Sequence, residues 1–432
     1  MATSQKPSEG NRALRMMGLP TLPKRLPSRN WLIFWAVATT TSAAIIYDRR
    51  EKRRATARWA RAVSHIAKEP LARPTDMPRR LTIYLESPPG DGFRVAQDHF
   101  LEYVKPIIAA SGLDWDFVQG RQQGDVRAVV AERVRRARRA VEVDLGGGGG
   151  GGSAPPPEPE VPTVEDLIEA NRRRNNVREF DGPRGDIVIG RHTWKEYIRG
   201  LHEGWLGPLT PPPEPPKIEK VEAADEEGGE ASEKKEEEKK PSRPAQLRPH
   251  NTPEQYPASP LPMLIPGELT PAAPIRFPHL LGFLNTPIRL RRYFGRRYLA
   301  DEIGREVAAV CLLTYRDFSD DELRDALAFE ERDWVKKVWK ENEKKEEDSA
   351  SPEPPRERIW PSEVVLDTRI SSRMRRFELR PDDEARARQI VVPEEEIEGW
   401  TKGHLRQLWR WTARTFGGSR SKGPNVGNMD DE

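Results

Sequence analysis

The loop PPGDG at residues 88–92 is the stretch whose residue types and position could do chemistry. It follows an alternating apolar run, RRLTIYLES, and precedes a helical period, which is where phosphate-binding loops gather backbone N–H groups. The loop carries no Lys-Ser/Thr pair and no three-glycine fingerprint, and Asp91 is its single ionisable group, so a turn is the better reading. Histidines at 65, 99, 192, 202, 250, 279 and 404 include no pair at metalloprotease spacing. Cys311, the single cysteine, excludes intramolecular disulfides and multi-cysteine metal sites, and its apolar run VAAVCLLTY suits a small buried hydrophobe. No Ser-His-Asp, Cys-His or paired-carboxylate arrangement can be assigned from spacing, so no catalytic, cofactor-binding or metal residue is expected. The rival reading is an anchored enzyme or nucleotide-binding domain with its site near Gly90 and Gly92, at the strand ends of an open α/β sheet.

A second chemical candidate is the arginine-rich segment holding Arg127, Arg135, Arg136, Arg138 and Arg139. It could meet anionic lipid or an acidic partner, but Val126, Val130, Val134, Ala137 and Val141 complete one apolar face, and ordinary solvated helices look the same. Nucleic acid is not an expected partner. The 432 residues carry 72 basic and 69 acidic side chains, a net charge of +3, so charge acts only locally. With 36% hydrophobic residues and 41 prolines, linkers must take a large share of the chain.

The elements that would position these residues follow from periodicity. Leu81, Ile83 and Leu85 alternate as a strand; Phe93, Ala96, Phe100, Tyr103 and Ile107 recur at helical spacing with a kink expected at Pro106; LDWDFVQG reads as a second strand and residues 125–141 as a second helix. VEDLIEANRRRNN (helix), DIVIGR (strand) and HTWKEYIRGLHEGWLG (helix) follow, then strands at 307–315, 362–367 and 375–379 and a final helix from Pro393 to about Gly417. Strand-helix-strand order argues for parallel pairing.

The span from Trp31 to Tyr47 has no charged residue over 17 positions, about 25 Å of helix and just enough to cross a bilayer. Trp31, Trp35 and Tyr47 stand where interfacial aromatics sit, and basic residues bracket both ends. Cleavage after Ala36-Val37-Ala38 would leave too short an apolar region for a signal peptide, and a core helix would show a polar stripe. A membrane anchor is therefore expected. Its second half, Thr39, Thr40, Thr41, Ser42, Ala43 and Ala44, is small and polar, a candidate face for packing on another transmembrane helix. Trp400, Arg406, Arg410, Trp411 and Arg414 make the final helix a candidate for docking on lipid or a partner.

The expected fold is α/β: a single N-terminal transmembrane helix, then a mixed, partly parallel sheet domain with flanking helices and long disordered insertions. The segments are a basic arm (1–30), the span (31–47), a juxtamembrane helix ending at Pro70 (48–70), an α/β region (79–145), a Gly/Pro linker (146–162), a continuation (163–207), a disordered charged linker (208–260), a continuation (261–340), a charged linker (341–358), C-terminal strands and helix (359–418) and a disordered tail (419–432).

The words GNRALRMMGLP, RLPSRNWLIFW, YDRREKRRATARWA, RRLTIYLESPPGDG and HFLEYVKPIIAASGLDWDFVQGRQQGDVR, in this order, and HTWKEYIRGLHEGWLGPL later, resemble the fungal Tim54 family of mitochondrial inner-membrane import translocase subunits. The resemblance implies a non-enzymatic scaffold of the carrier translocase in the mitochondrial inner membrane, with its N-terminus in the matrix and its bulk in the intermembrane space. Implied partners are the channel-forming subunit, the small Tim chaperone complex that delivers multispanning proteins, an intermembrane-space-facing AAA protease and inner-membrane lipids; no cofactor is implied. The charge rule points the other way, because more Lys and Arg follow Tyr47 than precede Trp31, but long domains translocate largely regardless of charge.

Overall fold

The computed structural model describes residues 28–70, 73, 75–144, 164–178, 180, 182–211, 246–262, 264–340, 357–397 and 400–416. The glycine run at 146–152, the arm before residue 28, residues 212–245 and 341–356 of the charged linkers, and the tail lie outside the described residues. Two compact units are distinguished, residues 1–49 and 50–432.

Helix α1 (Arg29–Val63) is one element of 35 residues. The span and the juxtamembrane helix, expected as two segments, are joined because nothing between Tyr47 and Ala55 is a glycine or proline that would break the helix. A 3-10 turn, Ile66–Lys68, stops short of Pro70.

Within the second unit, β1 (Arg80–Glu86), β2 (Asp114–Gly120), β3 (Asp186–Ile189), β4 (Ala272–Ile275), β5 (Tyr315–Asp317) and β6 (Arg375–Phe377) form one sheet in the order β2-β1-β3-β4-β6-β5. All neighbours are parallel except β5 against β6. Helices follow in chain order: α2 (Phe93–His99), α3 (Lys105–Ser111), α4 (Asp125–Asp144), α5 (Val164–Arg174), α6 (Arg191–Leu206), α7 (Thr286–Tyr293), α8 (Arg296–Cys311), α9 (Asp320–Asp325), α10 (Lys336–Lys340), α11 (Thr368–Ser371), α12 (Pro381–Gln389), α13 (Glu394–Ile397) and α14 (Trp400–Phe416).

Alternation along β1 feeds two cores. Leu81, Ile83 and Leu85 join Phe100, Ile107, Ile303, Val307 and, from the end of α1, Trp59 and Val63. On the other face Tyr84 joins Val126, Val130, Trp194, Tyr197 and Ile198. A mostly parallel sheet needs both faces covered, and the two apolar clusters supply that cover.

Several local expectations are corrected. The apolar run at 307–315, read as a strand, supplies the last turns of α8 and only the first residue of β5; Ala300, Ile303, Gly304, Val307 and Ala308 are buried at helical spacing, which a short apolar run conceals. Residues 362–367 pair with no strand; Asp367 instead caps α11, accepting from Arg369 N. Strand β4 escaped notice because Pro271 and Pro274 argue against one. On the β3 side Pro271 O and Ile275 O accept from Asp186 N and Gly190 N, and alternation along β4 then turns Pro274 and its missing N–H toward β6, which pairs with β4 only at Ala272↔Arg376. The kink expected at Pro106 is a π-helical turn, Phe100–Val104, just ahead of Pro106 in the first turn of α3; Lys105 N bonds back to Phe100 O, and the wider turn accommodates a residue that cannot donate. Inside the segment expected to be disordered (208–260), residues 246–260 pack: Tyr256 is buried, stacked on His202 with its hydroxyl 2.7 Å from Arg199 Nη1. The final helix is described as α13 and α14, with residues 398 and 399 between them outside the described residues.

Candidate functional site

Strand order reverses at β1, which has β2 on one side and β3 on the other, and the carboxyl ends of β1 and β3 are where an open α/β sheet would hold a ligand. The residues after those ends fill the crevice. Pro88, Pro89, His192, Phe277, Leu281, Trp334 and Val335 leave about 10 Å3 between them, room for about one water. Gly90, at φ +89, has Val335 Cγ2 3.0 Å and Leu281 Cδ1 3.3 Å from where a Cβ would stand, so the loop is a tight turn beneath a lid of the protein's own side chains. Asp91 is engaged locally, accepting from Gly92 N at 2.7 Å and lying 3.5 Å from His279 Nε2.

The anion positions are filled as well. In nucleotide-binding folds the helix N-termini at this edge meet phosphate. Here Glu330 accepts from Arg191 N, at the start of α6, at 2.9 Å and from Phe277 N at 2.6 Å. Glu196 accepts from Gly124 N, Val126 N and Arg127 N, at the start of α4, at 2.6, 3.1 and 3.3 Å, and from Trp360 Nε1 at 3.0 Å. Burial pushes Glu330 up to about 8 despite its two N–H donors. Burial also raises Glu86 and Glu196, and the charge of Glu196 raises Glu86 further. Among the described residues no three His, Cys, Asp or Glu side chains converge as metal ligands would. Burial pushes the Cys311 thiol up to about 11, which makes it a packing group.

The arginine-rich helix α4 turns two of its cations inward. Arg127 and Arg135 are buried and share Glu203, at 2.6 and 3.2 Å, while Arg138 Nη1 donates to Gly204 O at 2.7 Å and Gly207 O at 2.9 Å, satisfying carbonyls at the end of α6. From sequence those positions suit an ordinary solvated face or an anion-binding one. The overlooked signal is Gly200-x-x-x-Gly204. A Cβ on Gly200 would stand 2.7 Å from Arg127 O, and one on Gly204 2.6 Å from Val134 Cβ, so the two glycines let α4 and α6 approach closely. All sixteen residues of α6 are buried, and the helix serves as a central post.

The surfaces singled out from sequence lie elsewhere. In α1, Trp31, Phe34, Trp35, Val37, Ile46 and Tyr47 are all more than half exposed, and Arg29–Lys68 contains a window long and apolar enough to cross a membrane. Thr39 Oγ1 donates to Trp35 O at 2.7 Å, Thr40 Oγ1 to Ala36 O, and Thr41 Oγ1 to Val37 O at 2.9 Å. Their protons are thus used within the helix, and what this band, with Ser42, Ala43 and Ala44, offers a neighbour is chiefly small size. From residue 50 onward the basic stretch is built into the domain: Lys52 pairs with Glu102, Arg58 with Asp301, Arg50 with Glu394, and Arg61 with Glu396 at 2.6 Å. On α14, Leu405, Leu408, Trp409 and Trp411 are more than three-fifths exposed, and Arg406 and Arg410 reach Glu394 and Glu395 at 3.4 and 2.5 Å. The side chains of Trp400 and Arg414 lie outside the described residues.

Residues 11–377 match the family described as "Inner membrane protein import complex subunit Tim54". The chain is 56% identical over 425 residues to the mitochondrial import inner membrane translocase subunit tim54 of Neurospora crassa, covering 93% of this chain and 88% of the relative. The subunits of the same name from Aspergillus oryzae and Schizosaccharomyces pombe are 40% and 35% identical, over 96% and 74% of this chain and 99% and 88% of their own lengths.

Proposed function

The chain belongs to the Tim54 family of inner membrane protein import complex subunits, and from this premise we propose that it is a non-enzymatic scaffold of the mitochondrial inner-membrane carrier translocase. Helix α1 holds it in the inner membrane as a single pass, with the N-terminus in the matrix and the bulk in the intermembrane space. The domain supports the complex of the channel-forming subunit and docks the small Tim chaperone complex for import of multispanning proteins, with the intermembrane-space AAA protease as a further partner. Residues 39–44 provide a helix-packing surface for a transmembrane subunit, and α14, with Trp400, Arg406, Arg410, Trp411 and Arg414, a docking surface for lipid or a partner.

The observation that carries a scaffold over an anchored enzyme is the filled switch-point crevice. Where a substrate would bind, Phe277, Leu281, Trp334 and Val335 pack, and the helix N-termini that would bind phosphate hold Glu196 and Glu330. A domain that spends its ligand edge on internal carboxylates is suited to rigidity. The basic stretch of α1, tied to Glu102, Asp301 and Glu396, would transmit that rigidity toward the bilayer.

Protease protection with a C-terminal tag tests the membrane, the side and the anchor together. The chain is expected in the membrane pellet after alkaline extraction, with the tag digested only once the outer membrane is opened. Release into the supernatant refutes the anchor; a tag protected in mitoplasts refutes the orientation. Native electrophoresis of mitochondria depleted of the chain is expected to show loss of the channel-containing complex, and an intact complex refutes the scaffold.

A further inference from the structure

Residues 281–300 read LGFLNTPIRLRRYFGRRYLA, with five arginines and no acid. Of these, residues 282–293 fold into a tip and a short helix that the domain leaves largely uncovered. Phe283 and Leu284 are 90% and 91% exposed, the most exposed large apolar side chains among the described residues, and no residue of α7 is buried. The tip is nonetheless preformed. Gly282, at φ +106, turns the chain, Asn285 Nδ2 donates to Leu281 O at 2.7 Å, and Thr286 Oγ1 donates to Phe283 O at 2.5 Å. Two apolar side chains held out by a hydrogen-bonded turn are unfavourable in water, so something apolar is expected to cover them.

We propose that this tip is a second membrane contact, in which Phe283 and Leu284 enter the headgroup–acyl boundary of an anionic phospholipid surface while the arginines of α7 meet the phosphates. Charge complementarity carries the choice of occupant: Arg289 and Arg291 are exposed on α7, whereas Arg292 is held by Asp333 at 2.7 Å and so fixes the helix to the domain. An apolar edge with a basic flank is the composition of interfacial helices. The basic flank continues past α7: Arg296, at the start of α8, lies 3.8 Å from Glu102, the carboxylate that also holds Lys52.

The inference rests on α1 being the membrane span, and two labels separate the ideas. The full chain carrying Leu284→Cys, and a second carrying Ser42→Cys, are labelled with an environment-sensitive fluorophore and reconstituted into vesicles of phosphatidylcholine alone or with one-fifth cardiolipin. Cys311 is buried, so native labelling goes to the introduced thiol. Brominated acyl chains are expected to quench the Ser42 label in both vesicles and the Leu284 label in the cardiolipin vesicles, with Arg289→Gln and Arg291→Gln each reducing the docked population about fivefold. Quenching at Ser42 with the Leu284 label in water on both compositions overturns the docking and leaves the anchor standing. Quenching at Leu284 alone supports the docking and overturns the anchor, and quenching at neither overturns both. If the Leu284 label is wet on vesicles yet shielded in the assembled translocase, the occupant is a protein and the lipid proposal is overturned.

Discussion

Gly304→Ala tests how the stalk of α1 is fixed to the domain. A Cβ at 304 would stand 2.3 Å from Trp59 Cδ1 and 2.7 Å from Cγ, well inside contact distance. The indole has little room to yield, since Trp59 is 3% exposed among Val63, Ala300 and Ile303, and its Nε1 donates to Asp301 Oδ1 at 2.7 Å. Two responses compete. Expelling the indole forfeits roughly 4–6 kcal/mol for 150–250 Å2 of aromatic burial, and about 1 kcal/mol more for the hydrogen bond. Keeping it costs the strain of overpacking, about 1–3 kcal/mol. The second route is cheaper, so the variant should remain assembled and lose about 2–3 kcal/mol, the upper part of that range because a ring is the obstacle. Denaturant unfolding of the full chain in detergent, followed by near-UV tryptophan signal, reads the loss. Trypsin at Arg53, Arg54, Arg58 and Arg61 reads the route: no new cleavage is expected below the unfolding transition. Trp59→Leu should relieve the clash, making the double variant less destabilised than the sum of the singles by about 1 kcal/mol or more. An unchanged midpoint for Gly304→Ala, or strict additivity with Trp59→Leu, would refute the packing argument.

Phe100→Asp should destabilise the domain by several kcal/mol, since Phe100 is buried edge-on against Phe117 at 5.0 Å, while deleting residues 226–240 should leave thermal unfolding within about 0.5 kcal/mol of the parent; the reverse result refutes the parsing. Burial lowers His99 to about 3 and leaves both ring nitrogens without partners. Its folded pKa lies below the unfolded value of about 6.5, so it contributes stability above that pH that is lost as pH falls toward 3, by at most about 1.4 kcal/mol per unit. His99→Leu should flatten this limb between pH 6 and 4 in chemical denaturation, and an unaltered slope counts against a buried neutral imidazole. Replacing residues 39–44 with leucines should keep the chain in the alkaline pellet but weaken co-purification with the channel-forming subunit, by about 1 kcal/mol per lost contact; full recovery of the complex reduces this band to an anchor.

What could be read ahead of the structure was what short-range periodicity encodes. Leu81, Ile83 and Leu85 announced a strand because period two needs only five residues, and Trp194, Ile198, Leu201 and Trp205 announced α6 in the same way. The reading failed where a residue's state depends on a distant partner. Val307 and Val310 look like a strand until Trp59, some 250 residues earlier, is seen to pack on Gly304 of the same helix. Pro274 is compatible with β4 only because β6 diverges there. Arg127 and Arg135 look solvated until Glu203 is placed between them.

The same limit governs the choice between scaffold and enzyme. A strand, a turn with Gly90 and Gly92, and a helix are the local grammar of a phosphate site and of a plain crossover alike. What separates them is which group receives the N–H donors at the helix starts. For α4 that group is Glu196, 72 residues from Gly124, and for α6 it is Glu330, 139 residues from Arg191. No motif spacing encodes a carboxylate at such a remove. A phosphate could enter only by displacing a buried carboxylate that already receives two or three N–H donors, at a cost of about 1–3 kcal/mol for each group left unpaired. The geometry of the ligand edge therefore favours an assembled, closed domain, and among the described residues the apolar surfaces that point outward include the apolar half of α1, the tip at Phe283 and Leu284, and α14.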